Sequence, residues 1–182
     1  MSVALILIDI QTGFNNPIWG ERNNLDAETN AAKLLTHWRA NDWPIFHIRH
    51  VSVEPNSPLS GEGTAFKPEV APLAAEAILE KSVISAFINT DLETRLRDAK
   101  ITDLVICGLT TPHCVSTTTR MAANLGFSVK LVADACASFT SNADMSWKTN
   151  AAALDAQTIH DTALAHLHGE FATVVQSAEV LV

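Results

Sequence analysis

The stretch Leu104-Val-Ile-Cys-Gly-Leu-Thr-Thr-Pro-His-Cys-Val-Ser-Thr-Thr-Thr-Arg120 joins a strand pattern to a helix pattern and carries a cysteine where they meet. Leu104–Cys107 is short and apolar, which predicts a β-strand. Pro112–Asn124 has proline in its first turn and Gly126 after its end, which predicts a helix. Cys114 therefore lies beside backbone N–H groups that no intrahelical partner uses. Those groups and the helix dipole favour the nucleophilic thiolate, so we expect the pKa of Cys114 to lie well below ~8.5, the value of a free thiol.

Strand and helix patterns alternate along the whole chain. The strand patterns are short apolar runs at Val3–Ile8, Pro44–Val51, Ala77–Lys81, Leu104–Cys107, Val129–Val132 and Ala172–Val175. Helix patterns cover Ala27–Asn41, a segment that ends at Lys100, Pro112–Asn124 and Ala151–Leu167. Asp26 is the predicted N-cap of the first helix. Thr90 is the predicted N-cap of the second, and Glu93 would complete a capping box with it. Strands that alternate with helices pair in parallel through right-handed crossovers. We therefore predict one domain over residues 1–182 with a Rossmann-like α/β fold, a three-layer α/β/α arrangement around a central, mostly parallel six-stranded sheet.

Composition limits the classes of partner. Of the 182 residues, 47% are hydrophobic, which suits a sheet buried on both faces or a subunit that also buries surface in an oligomer. A formal net charge of -8 argues against nucleic-acid and anionic-membrane partners, because both require basic patches. No apolar run approaches the ~18 residues of a membrane span, and the N-terminus lacks the basic segment of a signal peptide. Three cysteines without a C-x-x-C motif fit a reducing environment, so we expect a cytoplasmic protein.

Three chemically active side chains follow three different strand patterns. In parallel sheets, ligands bind outside the carboxyl ends of the strands, and Asp9, Lys81 and Cys114 all lie at such ends. Taken singly, Asp9 would serve in an Asx-turn or helix cap, Lys81 in a solvated position and Cys114 as a buried structural thiol. Together they form a coherent nucleophilic group, because the carboxylate accepts the thiol proton and the ammonium stabilises the anion. Backbone N–H groups at the start of the Cys114 helix would bind an oxyanion.

Sequence pieces around these residues resemble a known superfamily. The pieces are Leu5-Ile-Leu-Ile-Asp-Ile-Gln-Thr-Gly-Phe14, then Glu80-Lys-Ser82 with Ser85-Ala-Phe87, then Gly108-Leu-Thr-Thr-Pro-His-Cys-Val115, in that order. Through them the chain resembles, over essentially its whole length, the isochorismatase-like cysteine hydrolases. That superfamily includes nicotinamidases and N-carbamoylsarcosine amidases.

The resemblance implies roles for these residues. It implies a catalytic triad of Asp9, Lys81 and Cys114, with the aspartate as general base toward the cysteine and the lysine supporting the thiolate and the bound substrate. It also implies a cis, non-proline peptide bond at Leu109–Thr110. In the family this bond turns the N–H of the Thr110 position toward the oxyanion, beside the N–H of Cys114. The family commonly forms dimers or tetramers, so we also expect a homodimer or homotetramer here.

Metal and dinucleotide sites are not expected. Nicotinamidases of this superfamily bind a metal through an Asp-x-His pair and a further histidine after the second strand, whereas this chain reads Phe46-His-Ile-Arg-His50 there. His47 and His50 are three residues apart and would point to opposite faces of a strand, which leaves open only an atypical metal site that uses His50 or another group. The turn after the first strand has no G-x-G-x-x-G motif, so no cofactor is predicted. The later histidines are predicted to be helix-surface groups, namely His160, His166 and His168.

The loops at the strand ends supply the candidates for a substrate pocket. Those candidates are Phe14, Asn15, Trp19, His50, Phe87, His113, Phe139 and Trp147. Each aromatic side chain would alternatively belong to the core or to a subunit interface. Arg49 or Lys67 would meet an acidic substrate, although a solvated position is the more common role of such side chains. Two long loops, 53–70 and 138–147, are expected to carry the specificity.

The interpretation that accounts for most of these features is a cofactor-free cysteine hydrolase. Such an enzyme would cleave a C–N bond of a small amide or ureido compound through a Cys114 thioester. Isochorismate-type vinyl-ether hydrolases belong to the same superfamily but typically lack the cysteine, so Cys114 counts against that reaction. A non-catalytic ligand-binding or thiol redox-sensing protein on the same fold is a further alternative, because a fold does not fix a function.

Overall fold

Six parallel strands form the central sheet of the computed structural model, which describes residues 3–181. Their bounds are β1 Val3–Ile8, β2 Ile45–His50, β3 Ala77–Lys81, β4 Asp103–Leu109, β5 Ser128–Ala137 and β6 Thr173–Val175. The spatial order is β3-β2-β1-β4-β5-β6, and each neighbouring pair of strands is parallel. This is the doubly wound order of a Rossmann-like sheet, so the predicted fold class is confirmed.

Helices cover both faces of the sheet. They are α1 Ala27–Ala40, α2 Leu92–Asp98, α3 Ser116–Asn124, α4 Ala156–Ala165 and α5 Ser177–Val180. The chain moves from β1 to β2 in one direction along the sheet and from β4 to β5 in the other. Because such crossovers are right-handed, α1 and α3 lie on opposite faces, which gives the predicted three layers.

Tertiary pairing and capping explain two of the element bounds that differ from the prediction. β5 extends to Ala137, beyond its predicted end, since its second half continues the ladder with β4. α4 begins at Ala156 instead of Ala151. The Asp155 side chain accepts a hydrogen bond from the Thr158 N–H at 2.7 Å and thereby fixes the first turn of α4 at that point.

The predicted N-caps of α1 and α2 do not form side-chain caps. Asp26 precedes α1 without a side-chain hydrogen bond to the helix. Thr90 lies before the start of α2, where its hydroxyl accepts from the Leu92 N–H at 3.3 Å and donates to the Ala86 carbonyl at 2.6 Å. The predicted capping box with Glu93 is therefore wrong, because the helix starts later and the Thr90 hydroxyl closes the preceding turn.

Gly108 allows β1 and β4 to approach closely near the carboxyl edge of the sheet. It lies opposite Ile8 in the register, with a φ of +131° that residues with a Cβ atom rarely adopt. A Cβ atom there would lie 2.1 Å from the Ile8 carbonyl oxygen. Asp9 follows Ile8 with a φ of 51°, and its carbonyl accepts from the Gln11 N–H at 2.8 Å in a tight turn. The glycine thus brings the end of β1 against the chain that leads to Cys114.

Both the central strand and the predicted long loop are packed against their surroundings. The β1 residues from Ala4 to Ile8 are at most 2% exposed, as expected for a strand covered on both faces. Loop 53–70 contains two short 3-10 turns and buries Leu59 and Lys67.

Among the described residues, no helix combines the length and the apolarity that crossing a membrane requires.

Candidate active site

The carboxyl ends of four neighbouring strands bring four side chains to one edge of the sheet. Asp9 follows β1, His50 ends β2, Lys81 ends β3, and Cys114 lies in the turn after β4. β2 lies between β1 and β3, and His50 and Lys81 are direct partners in the register. The strand order therefore brings the three residues of the predicted triad together and adds His50 to them.

The Lys81 ammonium is the centre of this cluster. Its Nζ atom lies 2.6 Å from Asp9 Oδ2, 3.0 Å from His50 Nδ1 and 3.3 Å from Cys114 Sγ. The Asp9 and Lys81 side chains are fully buried, and Cys114 is 7% exposed. A buried ion pair is costly unless its remaining hydrogen bonds are satisfied. The three acceptors supply those hydrogen bonds for the ammonium half of the pair.

Cys114 lies in a wide turn, Thr111–Val115, which we name the cysteine turn. The turn has π-helical hydrogen bonding and leads directly into α3. The Thr110 carbonyl accepts from the N–H groups of both His113 and Val115, at 3.2 and 3.3 Å. The peptide bond Leu109–Thr110 before the turn is cis, as the family resemblance implies. Single turns of this kind frequently occur at functional sites.

A histidine from α4 supports the cysteine turn. His160 is 2% exposed, and its Nδ1 atom lies 2.8 Å from Thr111 Oγ1. Its Nε2 atom lies 3.3 Å from the Asn24 side-chain nitrogen, which also donates to carbonyls of β5. The prediction that His160 is a surface group is therefore wrong, because its side chain points from α4 into the protein. His166 and His168 are exposed, as predicted.

Burial changes the ionisation that the sequence predicts for Cys114. Desolvation, followed by the negative charge of Asp9, raises the pKa of the Cys114 thiol from 9.0 to about 12. The expectation of a lowered pKa at Cys114 is therefore wrong, because desolvation and the charge of Asp9 outweigh the opposing effect of the Lys81 ammonium. Burial also raises the pKa of Asp9, against the opposing effect of Lys81. The resting site is thus a neutral thiol beside a carboxylate that is a stronger base than usual.

A cavity of about 200 Å³ opens onto Cys114. Its apolar wall consists of Phe14, Trp19, Leu59 and Ile84. Its polar lining consists of His50, Ser52, Ser57, Thr110, His113 and Asn142. Sites for drug-sized ligands start at roughly 300 Å³, so this cavity admits only a small compound.

Stacked rings build the aromatic wall of the cavity. Phe14 stacks on Phe139 with ring centroids 5.8 Å apart, and Trp19 lies 5.1 Å from Phe14. The Trp19 indole N–H donates to the Gly13 carbonyl at 2.9 Å, and the Arg22 guanidinium lies 5.4 Å from the Phe139 ring centroid. Phe139 is 3% exposed and supports the wall from behind, so it does not line the cavity as predicted.

The predicted pocket residues divide between the cavity and other positions. Those that line the cavity are Phe14, Trp19, His50 and His113. Phe87 packs against the core instead, with its ring stacked on Phe127 at 6.0 Å, because the core offers the ring more apolar contact. Asn15 is exposed at the end of a short 3-10 turn, where water solvates its amide. Trp147 is 77% exposed on the single chain and contributes nothing to the cavity.

Five further residues line the cavity that were not named as pocket candidates from the sequence. The missed residues are Ser52, Ser57, Leu59, Ile84 and Asn142. The loop after β2 folds back on itself, since the Ser52 N–H donates to the Leu59 carbonyl at 2.9 Å. Ser57, Leu59 and Asn142 lie in the loops 53–70 and 138–147 that were expected to carry the specificity, but no sequence pattern singled them out within those loops.

The two basic residues considered for an acidic substrate are bound elsewhere. Lys67 is buried, with Nζ 2.6 Å from Glu28 Oε1, so the expectation of a solvated position is wrong for it. Arg49 pairs with Glu80 at 3.3 Å and lies over the Phe66 ring. Among residues 3–181, the cavity lining includes no arginine or lysine.

The cluster around Lys81 does not fit a metal ion. Asp9, His50 and Cys114 each offer one potential metal-ligating atom, and these atoms lie within 4.8 Å of one another. The Lys81 ammonium already contacts all three residues and would repel a second cation at short range. His47 binds elsewhere, with its Nε2 atom 2.8 Å from Glu76 Oε2.

Comparison with known proteins identifies the family. A profile of the isochorismatase domain matches residues 3–179. The chain belongs to the isochorismatase family. The uncharacterized isochorismatase family protein YrdC of Bacillus subtilis is 46% identical over 180 residues, which cover 98% of this chain and 94% of that protein. Isochorismatase-family proteins are generally hydrolases, and the resemblance inferred from the sequence is confirmed.

Solved structures of isochorismatase-family proteins share the fold. One from Chromobacterium violaceum is 43% identical with a TM-score of 0.92, and the match covers 99% of this chain and 92% of that one. A cysteine hydrolase from Pseudomonas syringae pv. phaseolicola is 26% identical with a TM-score of 0.86, covering 99% and 91% of the two chains. A streptothricin hydrolase of Streptomyces noursei is more distant, at 28% identity over 141 residues, which cover 75% of this chain and 54% of that protein.

Proposed function

We propose that this isochorismatase-family chain is a cysteine hydrolase that cleaves a C–N bond of a small amide or ureido compound. Its strongest support is the contact of one buried ammonium, that of Lys81, with both Asp9 and Cys114 beneath a small cavity. A thiol with an adjacent carboxylate and ammonium has its own base and its own charge stabilisation. The reaction then requires no cofactor.

Asp9 and Lys81 share the work of activating Cys114. Asp9 takes the thiol proton while Cys114 Sγ attacks the substrate carbonyl. Burial raises the pKa of both groups, so the proton leaves the thiol only as the S–C bond forms and passes to a strengthened base. Lys81 Nζ, 3.3 Å from Sγ, stabilises the developing negative charge. The N–H groups of Thr110 and Cys114, two residues that line the cavity, are the proposed donors to the oxyanion.

The second half of the reaction releases both products. Collapse of the tetrahedral intermediate breaks the C–N bond, and Asp9 returns its proton to the departing ammonia or amine. Asp9 then accepts a proton from water, whose oxygen attacks the Cys114 thioester. The acid product leaves, and the thiolate recovers the proton from Asp9. Such a two-step reaction gives ping-pong or burst kinetics.

Two relatives support this proposal over its alternatives. The Pseudomonas syringae neighbour is a cysteine hydrolase, and the distant Streptomyces noursei relative is a streptothricin hydrolase. Isochorismate is a dicarboxylate, and the lining among the described residues offers it no arginine or lysine. A ligand-binding or redox-sensing role predicts no turnover at all, so an activity assay separates it from hydrolysis.

Ammonia release from a panel of small amides and ureido compounds tests the proposal. We expect turnover of at least one compound, and a loss of roughly 10³-fold or more in Cys114→Ala. Cys136→Ala removes a buried thiol of β5 and is the matched control, which should retain activity. Undiminished turnover in Cys114→Ala would refute the nucleophile. Turnover of isochorismate alone, or an oxidation-dependent partner interaction without hydrolysis, would favour the alternatives.

We also propose a homodimer or homotetramer in the cytoplasm. Large apolar side chains are exposed on the single chain, at 68% for Ile18, 78% for Leu25 and 77% for Val53. Burial of such side chains between subunits removes apolar area from water. The cysteines are unpaired, which suits a reducing compartment. Light scattering should give two or four times the chain mass of 19.6 kDa, and the mass of one chain would contradict the assembly.

A further inference from the structure

His50 is the acceptor that completes the surroundings of the Lys81 ammonium. An ammonium group carries three N–H donors and no acceptor. Here the acceptors are Asp9 Oδ2 at 2.6 Å, His50 Nδ1 at 3.0 Å and Cys114 Sγ at 3.3 Å. The Lys81 side chain is fully buried, so an N–H group without a partner would lose its solvation without compensation. His50 is therefore part of what holds the ammonium in place.

The contact with Lys81 also determines the tautomer of His50. Nδ1 must present its lone pair to the ammonium, so the ring hydrogen of the neutral imidazole is on Nε2. Within residues 3–181, no acceptor is hydrogen-bonded to Nε2, and the ring lines the cavity beside Cys114. His50 therefore offers an unused N–H donor to whatever enters the cavity.

Gln11 fixes the backbone from which this ring projects. The Gln11 side chain is fully buried. Its Oε1 accepts from the His50 N–H at 2.7 Å, and its Nε2 donates to the His50 carbonyl at 2.9 Å. This pair of hydrogen bonds holds the last residue of β2 before any ligand binds, which is the preorganisation that a functional side chain needs.

We propose that His50 has one role on each ring nitrogen. Nδ1 positions the Lys81 ammonium against Asp9 and Cys114, and Nε2–H donates a hydrogen bond to an oxygen or nitrogen acceptor of the substrate. The substrate-binding role rests on the proposed function, because it requires a compound that is hydrolysed at Cys114. The positioning role rests only on contacts within the protein.

A charged imidazole would lose the positioning role. Protonation of Nδ1 removes the acceptor and places two positive charges 3.0 Å apart. The titratable groups that face the ring are Asp9, Lys81 and Cys114, with His113 in the same cavity lining. Burial, followed by the charge of Lys81, lowers the pKa of His50 to about 4. The ring is therefore neutral in neutral and weakly acidic solution.

Two amide substitutions separate the two roles, because asparagine places its amide near the position of Nδ1 and glutamine near that of Nε2. His50→Asn keeps an acceptor for Lys81 and loses the donor, so KM should rise roughly tenfold with little change in kcat. His50→Gln keeps a donor and loses the acceptor, so kcat should fall roughly tenfold or more. His50→Leu should show both effects. His166 is exposed after α4, so His166→Asn is the control and should change neither KM nor kcat. Unchanged kinetics in all three His50 variants would overturn both roles.

A measurement that needs no substrate tests the positioning role of His50 independently of the proposed hydrolysis. Nitrogen NMR of the protein labelled in its histidine rings reports the tautomer, and the His50 signals are those missing in His50→Asn. We expect the Nε2–H tautomer, a titration midpoint near pH 4 instead of 6.5, and a shifted Nδ1 signal in Lys81→Met. An Nδ1–H tautomer, or titration near pH 6.5, overturns the positioning role even if amides are hydrolysed. Expected spectra without any hydrolysis would remove the substrate-binding role together with the proposed function.

Discussion

Asp9 and Cys114 are coupled through burial and charge. Asp9 is fully buried beside Lys81, and its negative charge is the second cause, after desolvation, of the raised pKa of Cys114. Asparagine has nearly the shape of aspartate but carries no charge and accepts protons poorly. The substitution Asp9→Asn therefore separates the effect of the carboxylate on the thiol from its role as the proposed base.

We expect Asp9→Asn to lower the pKa of Cys114 while it slows hydrolysis. Without the carboxylate, Lys81 is the charge that remains beside the thiol, and an ammonium favours thiolate. Loss of a general base costs a factor of roughly 10² to 10⁴ in rate. Ultraviolet absorbance of the thiolate against pH, measured beside ammonia release, tests both effects. Asp98→Asn, at the exposed end of α2, is the control, and an unchanged or higher pKa of Cys114 in Asp9→Asn would refute the coupling.

The close approach of β1 and β4 depends on one position in β4. Alanine at position 108 would place its Cβ 2.1 Å from the Ile8 carbonyl oxygen, whereas alanine at position 126 meets nothing within 4 Å. Both glycines have positive φ, so the backbone strain of a Cβ applies to both. We expect Gly126→Ala to cost about 1–2 kcal/mol. Gly108→Ala should cost more than about 4 kcal/mol or prevent folding. Urea unfolding of the pair measures the difference, and equal losses would contradict it.

The hydrogen bond between His160 of α4 and Thr111 should stabilise the cysteine turn. His160→Ala leaves the buried Thr111 hydroxyl without its 2.8 Å partner, so the free energy of unfolding should fall by about 1–3 kcal/mol. Hydrolysis should also slow, because the turn that carries Cys114 loses its support. His166→Ala, at an exposed position after α4, should stay within about 0.5 kcal/mol of the wild type. Equal stability of the two variants in urea titrations would show that α4 does not support the turn.

Some features of the fold and the site can be predicted from sequence patterns, whereas others depend on how the elements pack. Periodicity located the strands, and the rule that ligands bind at the carboxyl ends of parallel strands selected Asp9, Lys81 and Cys114. No local pattern encodes a strand order that places β2 between β1 and β3, so the contact of His50 with Lys81 was not predicted. The resting thiol of Cys114 was missed for a related reason, because desolvation is a property of the folded chain.

At the scale of the whole molecule, buried histidines connect stability to pH. Burial lowers the pKa of His47, His50 and His160 from 6.5, in the case of His50 to about 4. The unfolded chain binds protons at these side chains below pH 6.5, and the folded chain does so only at lower pH. Each histidine therefore contributes stability that is present above its unfolded pKa and is lost as the pH falls toward its folded pKa.

We expect the free energy of unfolding to decrease as the pH falls from 6.5 to about 4. Each such histidine contributes up to about 1.4 kcal/mol per pH unit to the slope. The slope should be smaller in His50→Asn by up to that amount, because asparagine does not titrate. Urea titrations at a series of pH values compare the two proteins. Identical slopes would mean that His50 titrates in the folded protein as it does in the unfolded chain.

The assignment of Cys114 as a covalent nucleophile is tested most directly by trapping its thioester. The protein is mixed with a compound that it hydrolyses, quenched in acid, and its peptides are mapped by mass spectrometry. We expect the mass of the acyl group on the peptide that contains Cys114, and none on Cys107 or Cys136. Hydrolysis with Cys114 unmodified, at an undiminished rate in Cys114→Ala, would contradict the assignment.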